Sequence, residues 1–129
     1  SVEDVAWLYG DDVDVVEVAE LWGRLSPELV VLTRGGDGAL AHLPRKGVTV
    51  ELAAPAVGVV DTVGAGDSFM AGLLSGLLDA GLLGSPEARE RLRHADLYAL
   101  APALRRAVAC GAWTVARAGA AAPTRTDLT

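Results

Sequence analysis

Residues 60–69 read Val60-Asp61-Thr62-Val63-Gly64-Ala65-Gly66-Asp67-Ser68-Phe69, and the interpretation of the whole chain depends on this stretch. Two glycines separated by one alanine permit unusual backbone torsion angles and allow a ligand to approach the main chain closely. An apolar helix is predicted from about residue 68, so unpaired N–H groups and the positive end of the helix dipole face outward. Together these features predict an anion hole for phosphate oxygens.

Asp67 places a carboxylate in the first turn of this helix, beside the predicted anion hole. A negative charge next to an anion site is electrostatically unfavourable and therefore needs a chemical reason. A general base that deprotonates a hydroxyl group attacking a bound phosphate supplies that reason. For a Gly-Ala-Gly-Asp sequence alone, the competing hypothesis is that Asp67 only caps the helix and the glycines only form a turn.

The complete stretch resembles the motif D-T-x-G-A-G-D-x-F of the PfkB carbohydrate kinases, the ribokinase-like sugar kinases. Three further segments follow the order of that family. Residues 1–5 resemble an S-x-E-D-L sequence of fructokinase-like members, residues 33–39 a T-x-G-x-x-G nucleotide loop, and residues 103–119 the closing helix with its R-x-G-A turn. The resemblance covers nearly all 129 residues, and it implies the C-terminal, nucleotide-binding part of a family member without its N-terminal sugar-binding part.

The resemblance implies a role for the individual residues of these motifs. Asp67 is the implied catalytic base, and the backbone amides of the three preceding residues are the implied anion hole for the transferring phosphoryl group. Those three residues are Gly64, Ala65 and Gly66. The residues implied to contact the phosphates and ribose of ATP are Thr33, Gly35, Gly36 and Gly38, and the residue implied to contact adenine is Val108, at a position where relatives often have Asn.

The resemblance also implies two kinds of cation. Asp4 stands at the position of a family glutamate, which implies an indirect contact to Mg²⁺ through the waters that this ion usually retains. Some members of the family bind a monovalent cation such as K⁺ through backbone carbonyl groups. The corresponding residues of this chain are Asp61, Val63, Thr114, Arg117 and Gly119.

The apolar pattern and the resemblance predict an α/β chain with the ribokinase-like three-layer fold: a partly parallel sheet carrying a β-hairpin, with helices on both faces. The continuous apolar run at residues 29–33 is typical of a strand buried on both faces of a mainly parallel sheet. The predicted strands are 29–33, 39–43 and 48–52. The predicted helices begin at residue 1 and cover 14–25, 68–78, 86–94 and 97–115, with an interruption near Pro102 and a loosely ordered tail from Gly119.

Length and hydropathy bear on the organisation of the chain. A chain of 129 residues has room for one domain, and residues 1–129 are predicted to form the C-terminal portion of a PfkB-type domain. The sequence starts at Ser1 without a leader pattern, which favours an internal start. Apolar residues make up 51% of the chain and the mean hydropathy is +0.34, so part of the surface is expected to pack against an absent segment.

Composition and missing motifs exclude several classes of protein. The net charge of −6 argues against a broad surface for nucleic acid or anionic membrane, and no apolar run reaches the length of a membrane span. A single cysteine fits a reducing compartment such as the cytoplasm. His42 and His94 have no partners at zinc-binding spacing. The P-loop pattern is absent, and Gly35-Gly36-Asp37-Gly38 precedes a predicted strand, where a dinucleotide fingerprint would open a helix.

The favoured hypothesis is an ATP-dependent sugar kinase with ATP and Mg²⁺ as cofactors and K⁺ as an optional one. The resemblance of residues 1–4 to fructokinase-like members favours fructose as the acceptor, while other sugars, nucleosides and sugar phosphates stay open. The chain alone is expected to be a poor kinase, because groups that orient the sugar hydroxyl are missing. The alternative is a non-catalytic nucleotide-binding remnant, or a half that needs a partner chain. A homodimer that covers an exposed sheet edge also stays open.

Overall fold

The structure is a computed structural model that describes residues 1–128. These residues form two compact units, which meet in sequence between Ala53 and Ala54. The first unit contains α1 (Val2–Tyr9), α2 (Val15–Gly23), β1 (Val30–Thr33), a 3₁₀ turn (Gly35–Asp37), β2 (Ala39–Leu43) and β3 (Val48–Leu52). The second contains α3 (Ala65–Asp79), α4 (Pro86–His94), α5 (Leu97–Val115) and a 3₁₀ turn (Arg125–Leu128).

The sheet of the first unit has the order β1-β2-β3, and both pairings are antiparallel. The prediction of a partly parallel sheet is therefore wrong for the residues that the structure describes. Five residues, 34–38, connect β1 to β2, and four residues connect β2 to β3. Connections this short reverse the chain direction, whereas a parallel pairing needs a crossover of a dozen or more residues.

The core of the first unit lies between helix α2 and the strands. Its buried members are Val5, Val18, Ala19, Val30, Leu32 and Leu40. All residues of β2 are buried, which agrees with its central place in the sheet. Helix α2 is shorter than predicted, because Asp14 is its N-cap and the N–H groups of Arg24 and Leu25 bond the carbonyl oxygens three residues before them.

Helices α3 and α5 pack directly against each other in the second unit, and glycines of α3 lie at their contact. A Cβ atom at Gly72 would lie 2.7 Å from Sγ of Cys110, and one at Gly76 would lie 2.5 Å from Cα of Ala103. Real Cβ atoms do not approach other heavy atoms this closely, so the spacing of the two helices requires glycine at both positions.

Helix α3 begins three residues earlier than predicted, at Ala65. Its N-cap residue, Gly64, adopts a left-handed conformation with φ of 78°, which glycine adopts without strain. Helix α5 runs through Pro102 without the predicted interruption. The tail is also more ordered than predicted, because Arg125 in its 3₁₀ turn donates a hydrogen bond of 2.9 Å to Asp79 at the end of α3. No helix of residues 1–128 is long and apolar enough to cross a membrane.

Candidate active site

The segment before α3 is held by backbone hydrogen bonds to the end of α5. The N–H groups of Val60 and Asp61 both donate to the carbonyl oxygen of Val115, at 2.7 and 3.2 Å. The chain then turns at Thr62, whose carbonyl oxygen accepts the N–H of Ala65 at 3.3 Å. The segment that leads into α3 is thus held by the end of α5, not by local sequence alone.

Three backbone N–H groups at this helix start have no hydrogen-bond acceptor within residues 1–128. They belong to Gly64, Gly66 and Asp67, whereas the first intrahelical bond runs from Ser68 N to the carbonyl oxygen of Gly64 at 2.9 Å. Unpaired donors at a helix N-terminus, together with the helix dipole, favour a bound anion. Of the predicted anion-hole residues, Ala65 alone already uses its amide, so the available donors are those of Gly64, Gly66 and Asp67.

Gly66 lies at the second position of α3, and a Cβ atom built on it would have no neighbour within 4 Å. Nothing in the second unit therefore requires glycine at this position. Glycine in a helix costs about 1 kcal/mol relative to alanine. A ligand that approaches the backbone closely would explain why a residue that weakens the helix is present, as in other phosphate-binding loops.

The Asp67 side chain is exposed and has no hydrogen bond or ion pair with any residue of 1–128. It stands in the first turn of α3, where its own amide is one of the three free donors. An unengaged carboxylate next to an anion site is available to accept a proton from a substrate hydroxyl. The competing hypothesis of a capping role is weakened, because no backbone N–H of residues 1–128 bonds the Asp67 carboxylate, while the role of a base stays a prediction.

Asp61 joins the segment before α3 to the turn after α5. Its Oδ1 atom accepts the N–H of Val63 at 3.0 Å, and its Oδ2 atom accepts the N–H of Gly119 at 2.9 Å. Hydrogen bonds from these two backbone groups, first Val63 and then Gly119, hold the pKa of the Asp61 carboxyl below its ordinary value. The carboxylate is therefore charged and fully engaged with backbone near neutral pH.

The turn after α5 is ordered by side chains of that helix. The guanidinium of Arg117 lies 3.5 Å from the centre of the Trp113 ring and donates to the carbonyl oxygen of Trp113 at 2.8 Å. Thr114 is completely buried, and its hydroxyl donates to the carbonyl oxygen of Ala121 at 2.8 Å. Val108, the predicted adenine contact, is 8% exposed, so only a small edge of its side chain is free to meet a base.

The predicted monovalent-cation residues are only in part available as ligands. The Asp61 carboxylate brings Asp61, Val63 and Gly119 together. The Arg117 N–H donates to the carbonyl oxygen of Thr114 at 3.0 Å. The carbonyl oxygens of Asp61, Val63 and Gly119 accept no backbone hydrogen bond within residues 1–128, and oxygen ligands of this kind suit a hard cation.

The predicted nucleotide loop belongs to the first unit. Thr33 ends β1 and pairs with Ala39 of β2, and the 3₁₀ turn Gly35–Asp37 lies between them. Gly35 and Gly38 have positive φ angles of 54° and 92°. Gly35 and Gly36 are exposed, and Cβ atoms at these two positions would meet nothing within 4 Å. Gly35 and Gly36 therefore present open backbone, as a phosphate-contacting loop requires, whereas Gly38, also predicted to contact the nucleotide, is buried.

Asp4 belongs to a capping box at the start of α1. Its carboxylate accepts a hydrogen bond from the Ser1 hydroxyl at 2.9 Å, and its N–H donates to the same hydroxyl oxygen at 3.2 Å. Within residues 1–128 no group of three or more His, Cys, Asp or Glu side chains could hold a metal ion.

Comparison with known proteins places this chain in a family. The family described as pfkB family carbohydrate kinase matches residues 3–127. The chain belongs to the pfkB family of carbohydrate kinases. A fructokinase of Klebsiella pneumoniae is 39% identical over 99% of the chain, and the matched segment is 38% of that relative. The chain thus spans well under half of the length of this curated relative.

Solved structures agree with the family assignment. A double-mutant fructokinase of Vibrio cholerae, in a form with fructose, ADP and potassium ion bound, matches 98% of this chain with a TM-score of 0.74 and 27% identity. An aminoimidazole riboside kinase of Salmonella enterica matches 98% with a TM-score of 0.72 and 31% identity. The chain covers 37% and 38% of these two proteins. The ribokinase-like fold class is thereby confirmed.

Two functional features were missed by the sequence prediction. The free amide of Asp67 itself was not predicted, although a helix start at Ala65 would have indicated it, because the first N–H groups of any helix lack partners. The contact of Asp61 with Gly119 was missed as well, since it joins residues 58 positions apart. The other half of that arrangement, from Asp61 to Val63, has the local spacing of an Asx turn and was accessible from the sequence.

Proposed function

We propose that this chain is the nucleotide-binding and catalytic-base part of an ATP-dependent sugar kinase. The observation that carries the proposal is the helix start at Ala65, where three backbone amides are unpaired and Asp67, in the same first turn, has a free carboxylate. Membership of the pfkB family supports the phosphoryl-transfer chemistry. Phosphoryl transfer needs positioned donors and a base, and both are present in this segment.

Asp67 acts in this proposal on the sugar hydroxyl. Its carboxylate takes the hydroxyl proton as the sugar oxygen forms a bond to the γ-phosphorus, while the bond from that phosphorus to the ADP oxygen breaks. The N–H groups of Gly64, Gly66 and Asp67 donate to the phosphoryl oxygens, on which negative charge accumulates. The products are the sugar phosphate and ADP, and the proton on Asp67 passes to solvent.

Nucleotide and cation contacts complete the proposal. Thr33, Gly35, Gly36 and Gly38 contact the phosphates and ribose, and the exposed edge of Val108 contacts adenine. Mg²⁺ neutralises phosphate charge when it is bound, with Asp4 reaching it only through water. Potassium bound to the Vibrio cholerae fructokinase supports a monovalent cation held by the carbonyl oxygens of Asp61, Val63 and Gly119, with Thr114 and Arg117 beside them.

Fructose is the acceptor that the relatives favour. The Klebsiella pneumoniae and Vibrio cholerae proteins are both fructokinases, and the latter has fructose bound in its structure. The Salmonella enterica relative is a kinase for a riboside, which supports furanose compounds as a second class of acceptor. We therefore propose fructose first and a furanoside second. A location in the cytoplasm and a homodimer stay predictions, the latter to be tested by sedimentation over a range of concentrations.

Calorimetric titration of Mg·ATP into the 129-residue chain, with and without fructose, tests the nucleotide part. Binding that fructose does not enhance is expected, because the sugar-orienting part of the relatives lies outside this chain. Asp67→Asn should bind Mg·ATP at least as well as the wild type, since it removes a negative charge beside the phosphates. Absence of ATP binding would contradict the proposal and favour a remnant without nucleotide function.

A chimera tests the catalytic part. Residues 1–129 replace the matching segment of the Vibrio cholerae fructokinase, which supplies the remaining part of the fold. The chimera is expected to phosphorylate fructose, and Asp67→Asn in it should lower kcat by about 10²- to 10⁴-fold, the usual contribution of a general base. The exposed Asp11 provides the control variant Asp11→Asn, which should keep full turnover. Near-normal turnover of the Asp67→Asn chimera would remove Asp67 from the mechanism.

A further inference from the structure

The carboxylate of Asp61 has both oxygens engaged with backbone from two distant parts of the second unit. Oδ1 accepts from Val63, one residue before the anion-hole donor Gly64, and Oδ2 accepts from Gly119 in the turn after α5. We name this pair of hydrogen bonds the Asp61 clamp. A hydrogen bond from an N–H group to a charged carboxylate is about twice as strong as one to a neutral acceptor.

Two further contacts join the same two segments. The carbonyl oxygen of Val115 accepts the N–H groups of Val60 and Asp61. On the other side of the clamp, Gly64 lies so close to the turn that a Cβ atom on it would be 2.7 Å from Cβ of Ala120. The clamp is therefore one of three contacts that join residues 60–64 to the end of α5 and the turn after it, and of these three it is the only one made by a side-chain charge.

We propose that Asp61 is a positioning residue, whose carboxylate sets the orientation of the anion-hole amides by tying their loop to the turn at Gly119. The interpretation of these amides as an anion hole rests on the proposed function, whereas the two hydrogen bonds of the clamp do not depend on it. Asp61 touches no reacting atom in it. The resemblance places the turn at Gly119 beside adenine. The clamp therefore links the conformation of this turn to that of the amides that we propose bind the phosphates.

The chemistry of the side chain decides which variants are informative. Asp61→Ala removes both acceptors. Asp61→Asn keeps one oxygen acceptor and presents an NH₂ group to the second backbone N–H, so it can satisfy only one of the two amides. If Asp61 were only structural, the variants would lower the stability of the fold and leave ligand affinity unchanged. If Asp61 positions the amides, ligand affinity should fall with the number of oxygen acceptors left at position 61.

Asp79 supplies a matched control at the opposite end of the same helix. Its two carboxylate oxygens accept from Arg106 and Arg125, at 2.8 and 2.9 Å. The position lies 12 residues beyond Asp67 on α3, or about 18 Å along the axis at 1.5 Å per residue. Asp79→Asn should therefore weaken the fold without changing the anion hole.

Amide hydrogen exchange of the 129-residue chain tests the clamp without any ligand. We expect Asp61→Ala to raise the exchange rates of Val63 and Gly119 by about tenfold or more, the equivalent of a lost hydrogen bond to a charged group. Asp61→Asn should raise the rate of one of the two, and Asp79→Asn neither. Unchanged rates at both amides in Asp61→Ala would overturn the proposal, and so would an equal rise in Asp79→Asn.

Titration with Mg·pyrophosphate and Mg·ADP tests the positioning of the anion hole. Asp61→Ala should weaken both ligands by about tenfold, Asp61→Asn by less, and Asp79→Asn by no more than twofold at a temperature where all chains are folded. Unchanged pyrophosphate affinity in Asp61→Ala would overturn the positioning role. If the wild type bound neither ligand, the proposed function would fail, and the exchange rates would decide the clamp independently.

Discussion

Gly64 and Gly66, at the start of α3, differ in whether the fold itself requires glycine. Gly64 is required by the protein itself, because its left-handed backbone and its contact with Ala120 leave no room for a side chain. Gly66 is required by nothing within the second unit, since a Cβ atom there would meet open space. The two glycines of this motif therefore differ: the fold requires Gly64, whereas Gly66, which the second unit does not require, is the one that we propose lies against a bound ligand.

The first prediction compares Gly64→Ala with Gly66→Ala. Gly64→Ala should lower the free energy of unfolding by about 1–3 kcal/mol, because of left-handed strain and overlap with Ala120. Gly66→Ala should raise it by about 0.5–1 kcal/mol, since alanine favours the helix, while it weakens binding of Mg·ATP. Urea unfolding and calorimetry measure the two effects. A loss of stability in Gly66→Ala equal to that in Gly64→Ala would contradict this division.

At the scale of elements, the contact between α3 and α5 organises the second unit. Gly72 and Gly76 lie one turn apart on α3 and let the backbone of α5 approach closely. The buried residues of α5 recur at helical spacing along the same contact and include Leu100, Ala103, Leu104, Ala107 and Cys110. Small residues thus set the distance between helix α3, whose first turn has the unpaired amides, and helix α5, which leads into the turn at Gly119.

The second prediction concerns Gly76→Ala. Its new methyl group would lie 2.5 Å from the backbone of Ala103, which cannot move away as a flexible side chain could. The free energy of unfolding should fall by about 1–3 kcal/mol from overpacking. Gly66→Ala makes the same chemical change in the same helix without a neighbour and is the control. Equal stability of these two variants in urea would show that the helix contact is looser than described.

The third prediction concerns Pro102, which α5 accommodates at its sixth residue. Proline has no N–H group to donate to the carbonyl oxygen of Tyr98, and its ring crowds the preceding turn. Pro102→Ala should therefore raise the free energy of unfolding by up to about 3 kcal/mol. The urea midpoint should increase at constant m-value, which shows that stability alone has changed. A lower midpoint would indicate that the proline ring contributes packing that alanine loses.

At the scale of the whole molecule, ion pairs join segments that are distant in sequence. In the second unit, Asp79 at the end of α3 holds Arg106 of α5 and Arg125 of the last 3₁₀ turn. In the first unit, Arg34 pairs with Glu51 of β3 at 3.0 Å. The Arg125 guanidinium first, and then that of Arg106, hold the pKa of the Asp79 carboxyl below its ordinary value.

The fourth prediction follows from that lowered pKa. A carboxyl whose pKa is lower in the folded state stabilises the fold above its unfolded pKa, near 4, and loses this contribution as the pH falls through the folded pKa. Asp79→Asn should thus be less stable than the wild type at pH 7, and the difference should shrink below pH 4. Urea midpoints from pH 7 to 3 measure it. A difference independent of pH would show that Asp79 contributes no charge-dependent stability.

The sequence by itself determined the features that depend on neighbouring residues. The stretch 60–69 was sufficient to predict a helix start with unpaired amides and a carboxylate in its first turn, because free amides at a helix start depend on a few consecutive positions. The bounds of β2, β3, α4 and α5 follow from periodicity and caps within each segment, and the structure confirms them. The family also followed from motif order, since each motif is local.

Only the tertiary structure decided the features that join distant segments. The contact from Asp61 to Gly119 and the glycine contacts of α3 with α5 depend on how two helices pack, which no local pattern records. Helix α5 continues through Pro102 because tertiary packing outweighs an unfavourable local propensity. The sheet is antiparallel because short connections reverse the chain between strands that pair as neighbours. An apolar strand alone is compatible with either direction.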